Sequence, residues 1–301
     1  MCCDDDSVTR RPLGVCGWCL RVCSYVPPLV AALLILANVL PYYLAFLPRL
    51  RKLCMQGEAS WLFYTYCHAV MAVAVVLVYL NFFLCICTPP GYVEREPWSR
   101  VPVYKGRAHS DNMYEVRLLG YDGKLRFCTR CEIYKPDNAH HCRQCRRCIY
   151  HMDHHCPWIN NCVGRDNARF FLLFLAYIPL GAFHIAFTTA YSCYYQFSMH
   201  SGSEMVASTF HIVSLVTSLT FGITFSVFAG HFLWMAFRGE TTVANMAPRQ
   251  RIDKQQAMEE REKYLNDIFG SDLRWWRMIC PVRTRTAHRT GNGGGTMAEV
   301  L

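Results

Sequence analysis

The sequence predicts an all-α polytopic membrane protein, with four transmembrane helices and a cysteine-rich cytosolic domain between helices two and three. Three observations carry that expectation. Hydrophobic residues make up 52% of the 301-residue chain and charged residues only 18%, against about 25% in ordinary soluble domains. No Asp, Glu, Lys or Arg occurs within 22–48, 59–93, 170–203 or 205–237. Each of those stretches exceeds the roughly 20 residues that cross a hydrocarbon core about 30 Å thick. Of the 18 cysteines, seven fall between Cys128 and Cys162, interleaved with His140, His141, His151, His154 and His155. A soluble single-core enzyme is excluded.

Taken in order, residues 1–26 form a cytosolic N-terminal arm carrying Cys2, Cys3, Cys16, Cys19 and Cys23. The arm has no short apolar core with a small-residue cleavage site, so it is not a cleaved secretory signal. Cys2 stands where N-myristoylation requires glycine, which excludes that anchor. Residues 27–87 hold helices one and two. Helix one, about 27–47, contains Pro41 and is expected to kink there; helix two, about 61–87, stops at Thr88-Pro89-Pro90-Gly91. Residues 88–169 form a cytosolic loop that contains the Cys-rich domain at about 126–169. Residues 170–237 hold helices three and four, and 238–301 form a cytosolic C-terminal tail. The tail is expected to be helical over 250–264 and, at Gly291 to Gly295, too glycine-rich to order. Between them lie Ile268-Phe269 and Leu273-Arg274-Trp275-Trp276.

Basic residues set the orientation. Residues 88–169 carry fourteen Lys and Arg and residues 238–301 carry eleven, while the turn at 198–205 carries none and that at 48–60 carries three. Both termini and the long loop are therefore expected in the cytosol. Most of the net +9 charge follows from this bias, with attraction to anionic lipid as a second effect. No basic stripe interleaved with aromatics stands apart from the membrane flanks, so nucleic-acid binding is not expected. A cytosolic cluster is a reduced one, which leaves metal binding and thiol chemistry as its readings.

The spacing favours metal. Cys128 and Cys131, Cys142 and Cys145, and Cys145 and Cys148 are each separated by two residues, which lets paired thiolates converge on one tetrahedral ion. The segment is too polar and short for a sizeable core, so metal is expected to supply folding energy. Cys156 does not fit the ligand role. Asp153-His154-His155-Cys156 packs an acid, two imidazoles and a thiol into four residues, the composition of an activated nucleophile. Setting Cys156 aside leaves six cysteines, and one histidine per site brings the set to two closed zinc sites. A zinc-stabilised scaffold without activity is the rival reading, and it would need neither Asp153, His154 nor Cys156. A transporter would place ionisable residues in its spans, where only His68, His184, His211 and His231 stand.

The stretch from Cys128 to Phe171 resembles the cysteine-rich domain of the DHHC-type protein S-acyltransferases, or palmitoyltransferases. The likeness rests on Lys135-Pro136, His140-His141-Cys142, Asp153-His154-His155-Cys156-Pro157-Trp158, Asn160-Asn161-Cys162-Val163-Gly164 and Asn167. The resemblance implies transfer of a long-chain acyl group, palmitoyl above all, from acyl-CoA to protein cysteines through an acyl-Cys156 intermediate. Cys156 would be the nucleophile, His154 its base and Asp153 the residue that orients His154. One structural Zn2+ would be held by Cys128, Cys131, His141 and Cys148, and a second by Cys142, Cys145, His155 and Cys162. Two departures from the family pattern stand out: Pro89-Pro90-Gly91 in place of Asp-Pro-Gly, and Thr241-Thr242-Val243-Ala244 in place of Thr-Thr-x-Glu.

The same resemblance implies an acyl-chain cavity lined by helices one and three, with Trp158, Phe171, Phe174, Ile178 and Gly181 as candidates. Phe171, Phe174, Ile178 and Gly181 share one helical face by spacing, and Gly181 lies about 15 Å beyond Phe171. The alternative for Gly181 is close packing against helix one. Arg126, Lys135 and Arg143 are the expected CoA-binding residues, with Arg146 and Arg147 as neighbours of the same charge. Ordinary solvated charge is the alternative for each. The expected partners are acyl-CoA, the bilayer and cytosol-facing, membrane-associated proteins with accessible cysteines. The expected location is the endomembrane system, in the Golgi, ER or plasma membrane.

Overall fold

The computed structural model describes residues 22–104, 115–120, 122–199, 205–246, 254–270 and residue 279. Cys2, Cys3, Cys16, Cys19, the Leu273 to Trp276 segment and the glycine-rich end lie outside the described residues. Among the described residues, four helices are long and apolar enough to cross a membrane. They are α1 (Val26–Met55), α2 (Trp61–Cys87), α3 (Ala168–Met199) and α4 (Met205–Arg238). The α3 span is 67% buried, against 28% or less for the other three. It is therefore the central helix, packed between α2 and α4.

Pro41 does not break α1. It is followed by a π-helical turn at Tyr42–Phe46, after which the helix resumes at Leu47–Met55. Proline has no N–H and crowds the carbonyl four residues back, and a wider turn absorbs the misfit. The helix thus runs past the expected end near 47 and takes Arg49, Arg51 and Lys52 out of the expected loop. Leu47, Leu50 and Cys54 are buried, while Arg51 and Lys52 point out. That spacing makes the extension an amphipathic helix end.

Ser60 caps α2, accepting from the Leu62 N–H at 3.2 Å. The far end of α2 is closed by the Cys-rich domain, because the Asn161 amide donates to the carbonyls of Cys85 and Thr88 at 3.0 and 2.9 Å. Asn167 performs the matching service at the start of α3. Its Oδ1 accepts from the Gly164 N–H at 2.9 Å and its Nδ2 donates to the Cys162 carbonyl at 2.7 Å. Gly164 is required there, since a β-carbon would collide with the Pro90 carbonyl and lie 2.7 Å from Ile149 Cγ2. These contacts bolt the domain to two membrane helices.

Between α2 and α3, the described residues form short strands and a 3-10 turn at Pro157–Ile159. Among the described residues, eight short strands form four two-stranded ladders: β1 (Val103–Tyr104) with β2 (Glu115–Val116), β3 (Phe127–Cys128) with β4 (Ile133–Tyr134), β5 (Ala139–Cys142) with β6 (Arg147–Tyr150), and β7 (His154–Cys156) with β8 (Asn161–Val163). The first pair is parallel and the other three are antiparallel. Small apolar clusters around Ile133, Ile149 and Met152 include the cysteines themselves, while Cys156, Ile159 and Val163 join the core of the helix bundle. After α4 come α5 (Thr242–Met246) and α6 (Lys254–Phe269). The second runs past the expected end at 264, because Ile268 and Phe269 are buried against the bundle.

Candidate active site and metal centres

Two hairpins build the first candidate metal centre. Cys128 and Cys131 lie around the β3–β4 turn, which Glu132 closes with φ 55°. The β5–β6 register places His141 directly opposite Cys148. The His141 Nδ1 then lies 3.4, 3.2 and 3.9 Å from the sulfurs of Cys128, Cys131 and Cys148. The second centre repeats the plan. Cys142 and Cys145 flank the β5–β6 turn, where Arg146 has φ 56°, and β7–β8 pairs His155 with Cys162. The His155 Nδ1 lies 3.7, 3.5 and 3.5 Å from the sulfurs of Cys142, Cys145 and Cys162.

Within each group the four ligand atoms all fall within 4.8 Å of one another. Metal–sulfur bonds of about 2.3 Å and metal–nitrogen bonds of about 2.0 Å, set tetrahedrally, imply sulfur–nitrogen edges near 3.5 Å. The observed distances match those edges. Three soft thiolates and one imidazole suit a tetrahedral ion such as zinc, and each set is closed, with no place for water or substrate. The structure gathers the eight expected ligands into the two expected sets. His140, the neighbour left out, is half-buried; burial, with Arg126 and Lys135 nearby, lowers its imidazole pKa to about 4.

The third constellation lies where the domain meets the membrane helices. The His155–Cys162 pairing turns the alternate residues of β7, His154 and Cys156, to the other face of the strand, away from the metal set. His154 Nδ1 lies 2.6 Å from Asp153 Oδ2, and its ring interacts with the Cys156 sulfur. Burial alone would push the His154 pKa down. The hydrogen bonds to Asp153 and Cys156, together with their charges, raise it to about 9. Cys156 is 7% exposed and belongs to the same apolar cluster as Cys85, Phe171 and Phe174. The His154 ring packs on Phe171 and Phe232, at centroid distances of 5.4 and 5.6 Å. The arrangement gives a thiol, a base and a carboxylate that fixes the base, at the head of a helix bundle.

Asp153 has a further partner that sequence reasoning did not assign. Thr242 on α5 donates its N–H to Asp153 Oδ1 at 2.7 Å and its hydroxyl to Oδ2 at 3.0 Å. The Thr241-Thr242 pair after helix four was the available signal, but nothing local ties it to a residue 89 positions earlier. The α6 helix supplies the rest of the support. Asp267 Oδ2 lies 2.9 Å from His151 Nε2, and Tyr264 is 6% exposed beside that ring. Burial, then the Asp153 charge, pushes the Tyr264 phenol up. Arg117 pairs with Glu259 at 3.0 Å. The tail is anchored by these contacts, without an acid at position 244.

The expected cavity residues separate. Ile178 and Gly181 line a gap of about 30 Å³ among α1, α2, α3 and α4. Phe171 sits above it beside His154, Phe174 packs on Phe82 at 5.2 Å, and Trp158 stands 52% exposed on the 3-10 turn at Pro157–Ile159. The near neighbours of Gly181 are Ala74 and Met71 of α2, rather than helix one. Among the expected CoA residues, Arg126 is committed inward, its guanidinium donating to the Ala139 carbonyl at 2.6 Å, and burial lowers its pKa. Lys135 is half-buried, Arg143 and Arg146 are exposed, and Arg147 lies over the Tyr92 ring at 4.7 Å.

Known proteins place these features in context. Residues 122–249 match the family model described as DHHC palmitoyltransferase. Palmitoyltransferase ZDHHC2 of Rattus norvegicus is 31% identical over 88% of this chain and 75% of its own length. Palmitoyltransferase ZDHHC15 of the same organism is 30% identical over 86% and 79%, and that of Xenopus laevis 28% over 88% and 80%.

Proposed function

The chain belongs to the DHHC palmitoyltransferase family, and we propose on that footing how it acts as a protein S-palmitoyltransferase of the membrane. Cys156 is the nucleophile and His154 the base. The Cys156 thiolate attacks the carbonyl carbon of an acyl-CoA thioester. The new thioester forms on Cys156 as the bond to the CoA sulfur breaks, and the CoA thiolate leaves with the proton that His154 had taken. A substrate cysteine then gives its proton to His154 and attacks the acyl-Cys156 carbonyl. The chain moves to the protein, and the proton returns to Cys156. Exchange of one thioester for another is nearly isoenergetic, so the residues supply thiolate, orientation and a place for the chain. Asp153 holds Nδ1 of His154, so that Nε2 faces the sulfur, and stabilises the cation between the steps.

Zinc is the ion proposed for both Cys3His sets, and its work there is structural: it supplies the folding energy that the small apolar clusters do not. The domain, the chain termini and the mouth of the bundle lie together on the cytosolic face. That places Cys156 where CoA can stay in water while its acyl tail enters hydrocarbon, which stabilises the tail by about 0.8 kcal/mol per methylene. Lys135 and Arg143 remain the proposed contacts for CoA phosphates, while Arg126 serves the β5 hairpin. The substrates are membrane-associated proteins with cysteines at the cytosolic surface, and the compartment is one of the endomembrane system.

The observation that carries this reading is the Asp153–His154–Cys156 arrangement, held apart from two complete ligand sets. Incubation of the purified protein with labelled acyl-CoA tests it. Wild type acquires label that hydroxylamine releases, and Cys156→Ser acquires none while retaining two zinc ions per chain. Loss of one zinc from that variant would overturn the division between nucleophile and ligands.

A further inference from the structure

The acyl-transfer steps leave one buried nucleophile beside the site unused. Cys85, in the last turn of α2, is fully buried, two residues before the exposed Cys87. It shares one apolar cluster with Cys156, Phe82, Phe171 and Phe174, and its thiol interacts electrostatically with that of Cys156. The backbone explains the approach. The β7–β8 register sets Cys156 opposite Asn161, and directly opposed residues of an antiparallel pair have Cα atoms about 4.5–5.5 Å apart. The Asn161 amide in turn donates to the Cys85 carbonyl at 3.0 Å. One residue thus ties both cysteines together, and the contact of Phe82 with Phe174 at 5.2 Å fixes α2 against α3 in the same cluster.

A thiolate able to attack a thioester also attacks peroxide, because both reactions use the same electron pair on sulfur. The sulfenic acid that results has two fates. A second thiol within reach condenses with it to a disulfide, which a thiol reductant reverses. Without one, more peroxide carries it to sulfinic acid, which such reductants do not restore. On the cytosolic side proposed above, the surroundings are reducing, so a disulfide there is transient and responsive rather than structural. A buried cysteine without such a role packs as a small hydrophobe.

We propose that Cys85 is the resolving cysteine of a redox switch on the nucleophile, with hydrogen peroxide as the oxidant. The Cys156 thiolate attacks one peroxide oxygen. The S–O bond forms as the O–O bond breaks, and hydroxide leaves, taking the proton held by His154. The Cys85 sulfur then attacks the sulfenic sulfur. The S–S bond forms, the S–O bond breaks, and the hydroxyl departs as water with the Cys85 proton. Two electrons have passed from the pair of thiols to one peroxide, giving two waters. While the bond stands, Cys156 takes no acyl group, and a dithiol returns both thiols intact. This rests on the reading of Cys156 as the nucleophile.

The test uses the full-length purified protein with both zinc ions, exposed to hydrogen peroxide, alkylated in denaturant and digested. Mass spectrometry should find the peptides of Cys85 and Cys156 joined, two hydrogens lighter than their sum. Joining measures the approach directly, since a disulfide needs Cα atoms about 4.4–6.8 Å apart. Labelling from acyl-CoA should fall by about tenfold or more and return with dithiothreitol. Prior acylation of Cys156 should prevent the joining, and Cys87→Ser should behave as wild type. Cys85→Ala should acylate as before, but its loss to peroxide should resist dithiothreitol, with sulfinic acid on Cys156. Oxidised Cys156 without the joined peptide overturns the proposal, and this arm needs only wild type. Full recovery of Cys85→Ala overturns it too and leaves Cys85 a packing role. So does a reversible loss that tracks zinc release, with disulfides among Cys142, Cys145 and Cys162. If wild type acquires no hydroxylamine-labile label before any peroxide, the nucleophile assignment fails and the switch falls with it.

Discussion

His154 and His155 are adjacent and serve opposite faces of one strand, because successive side chains of β7 alternate. The Nδ1 of His155 looks into three sulfurs, whereas that of His154 looks at Asp153. Their alanine variants should therefore differ in kind. His154→Ala slows self-acylation by roughly 10²–10⁴-fold through loss of the base and keeps its metal. His155→Ala loses metal and folded protein, and metal analysis beside the acylation rate tells the two apart; exchanged phenotypes would refute the division. Thr242 gives a subtler case. Thr242→Val removes the hydroxyl contact to Asp153 but keeps the N–H contact, so one hydrogen bond to a charged group is lost, worth about 1.5–3 kcal/mol. Self-acylation should slow by about ten- to a hundredfold with zinc content intact. A wild-type rate would mean that the backbone donor holds Asp153 unaided.

Helix α3 is the most buried of the four spans, with Phe171 against His154 at one end and Gly181 beside the gap proposed for the acyl chain further along. Built on, Gly181 would place a β-carbon 3.5 Å from Ala74 Cβ and 3.8 Å from Met71 Cε, ordinary contact distances. A small side chain fits there and a ring fills the gap. Gly181→Tyr or Gly181→Phe should accordingly move the preferred chain to fourteen carbons or fewer while Cys156 still reacts. An unchanged length profile in an active variant would leave Gly181 with a packing role only. Helix α6 is held by its apolar end and by Asp267 against His151, whose side chain is 8% exposed. Asp267→Ala strands that ring without its acceptor, at a cost of about 1–3 kcal/mol. The expected readout is a lower melting temperature and a tail more open to protease; an unmoved melting temperature would assign α6 docking to Ile268, Phe269 and Tyr264 alone.

On the scale of the molecule, the domain and the bundle depend on each other. The Cys-rich domain caps α2 through Asn161 and seats α3 through Asn167, and in the proposed reading metal in its two Cys3His sets gives it cohesion. Stripping metal with a strong chelator should therefore do more than unfold a loop. Acylation should be lost together with protease resistance at the 88–90 junction, and a chelated protein that still resisted there would show the bundle to be self-sufficient. Four spanning helices could be read from composition alone, since an uncharged stretch of more than 20 residues has only one inexpensive environment. That the Cys/His cluster can hold metal was legible too, because paired thiolates two residues apart announce themselves locally, whereas the sorting of ligands into two sets was implied by the family resemblance. What remained hidden involved distant partners. The Thr242 contact to Asp153 spans 89 residues and that of Asp267 to His151 spans 116, and no local pattern encodes such a meeting. The course of α1 past Pro41 depended on a π-helical turn, and the neighbours of Gly181 on how four helices cross. Sequence by itself determined which residues are apolar, which can hold metal and which can react, because those are properties of single side chains and short spacings. Only the tertiary structure decided which side chains meet across the chain, because packing choices among helices are made by shape over the whole bundle.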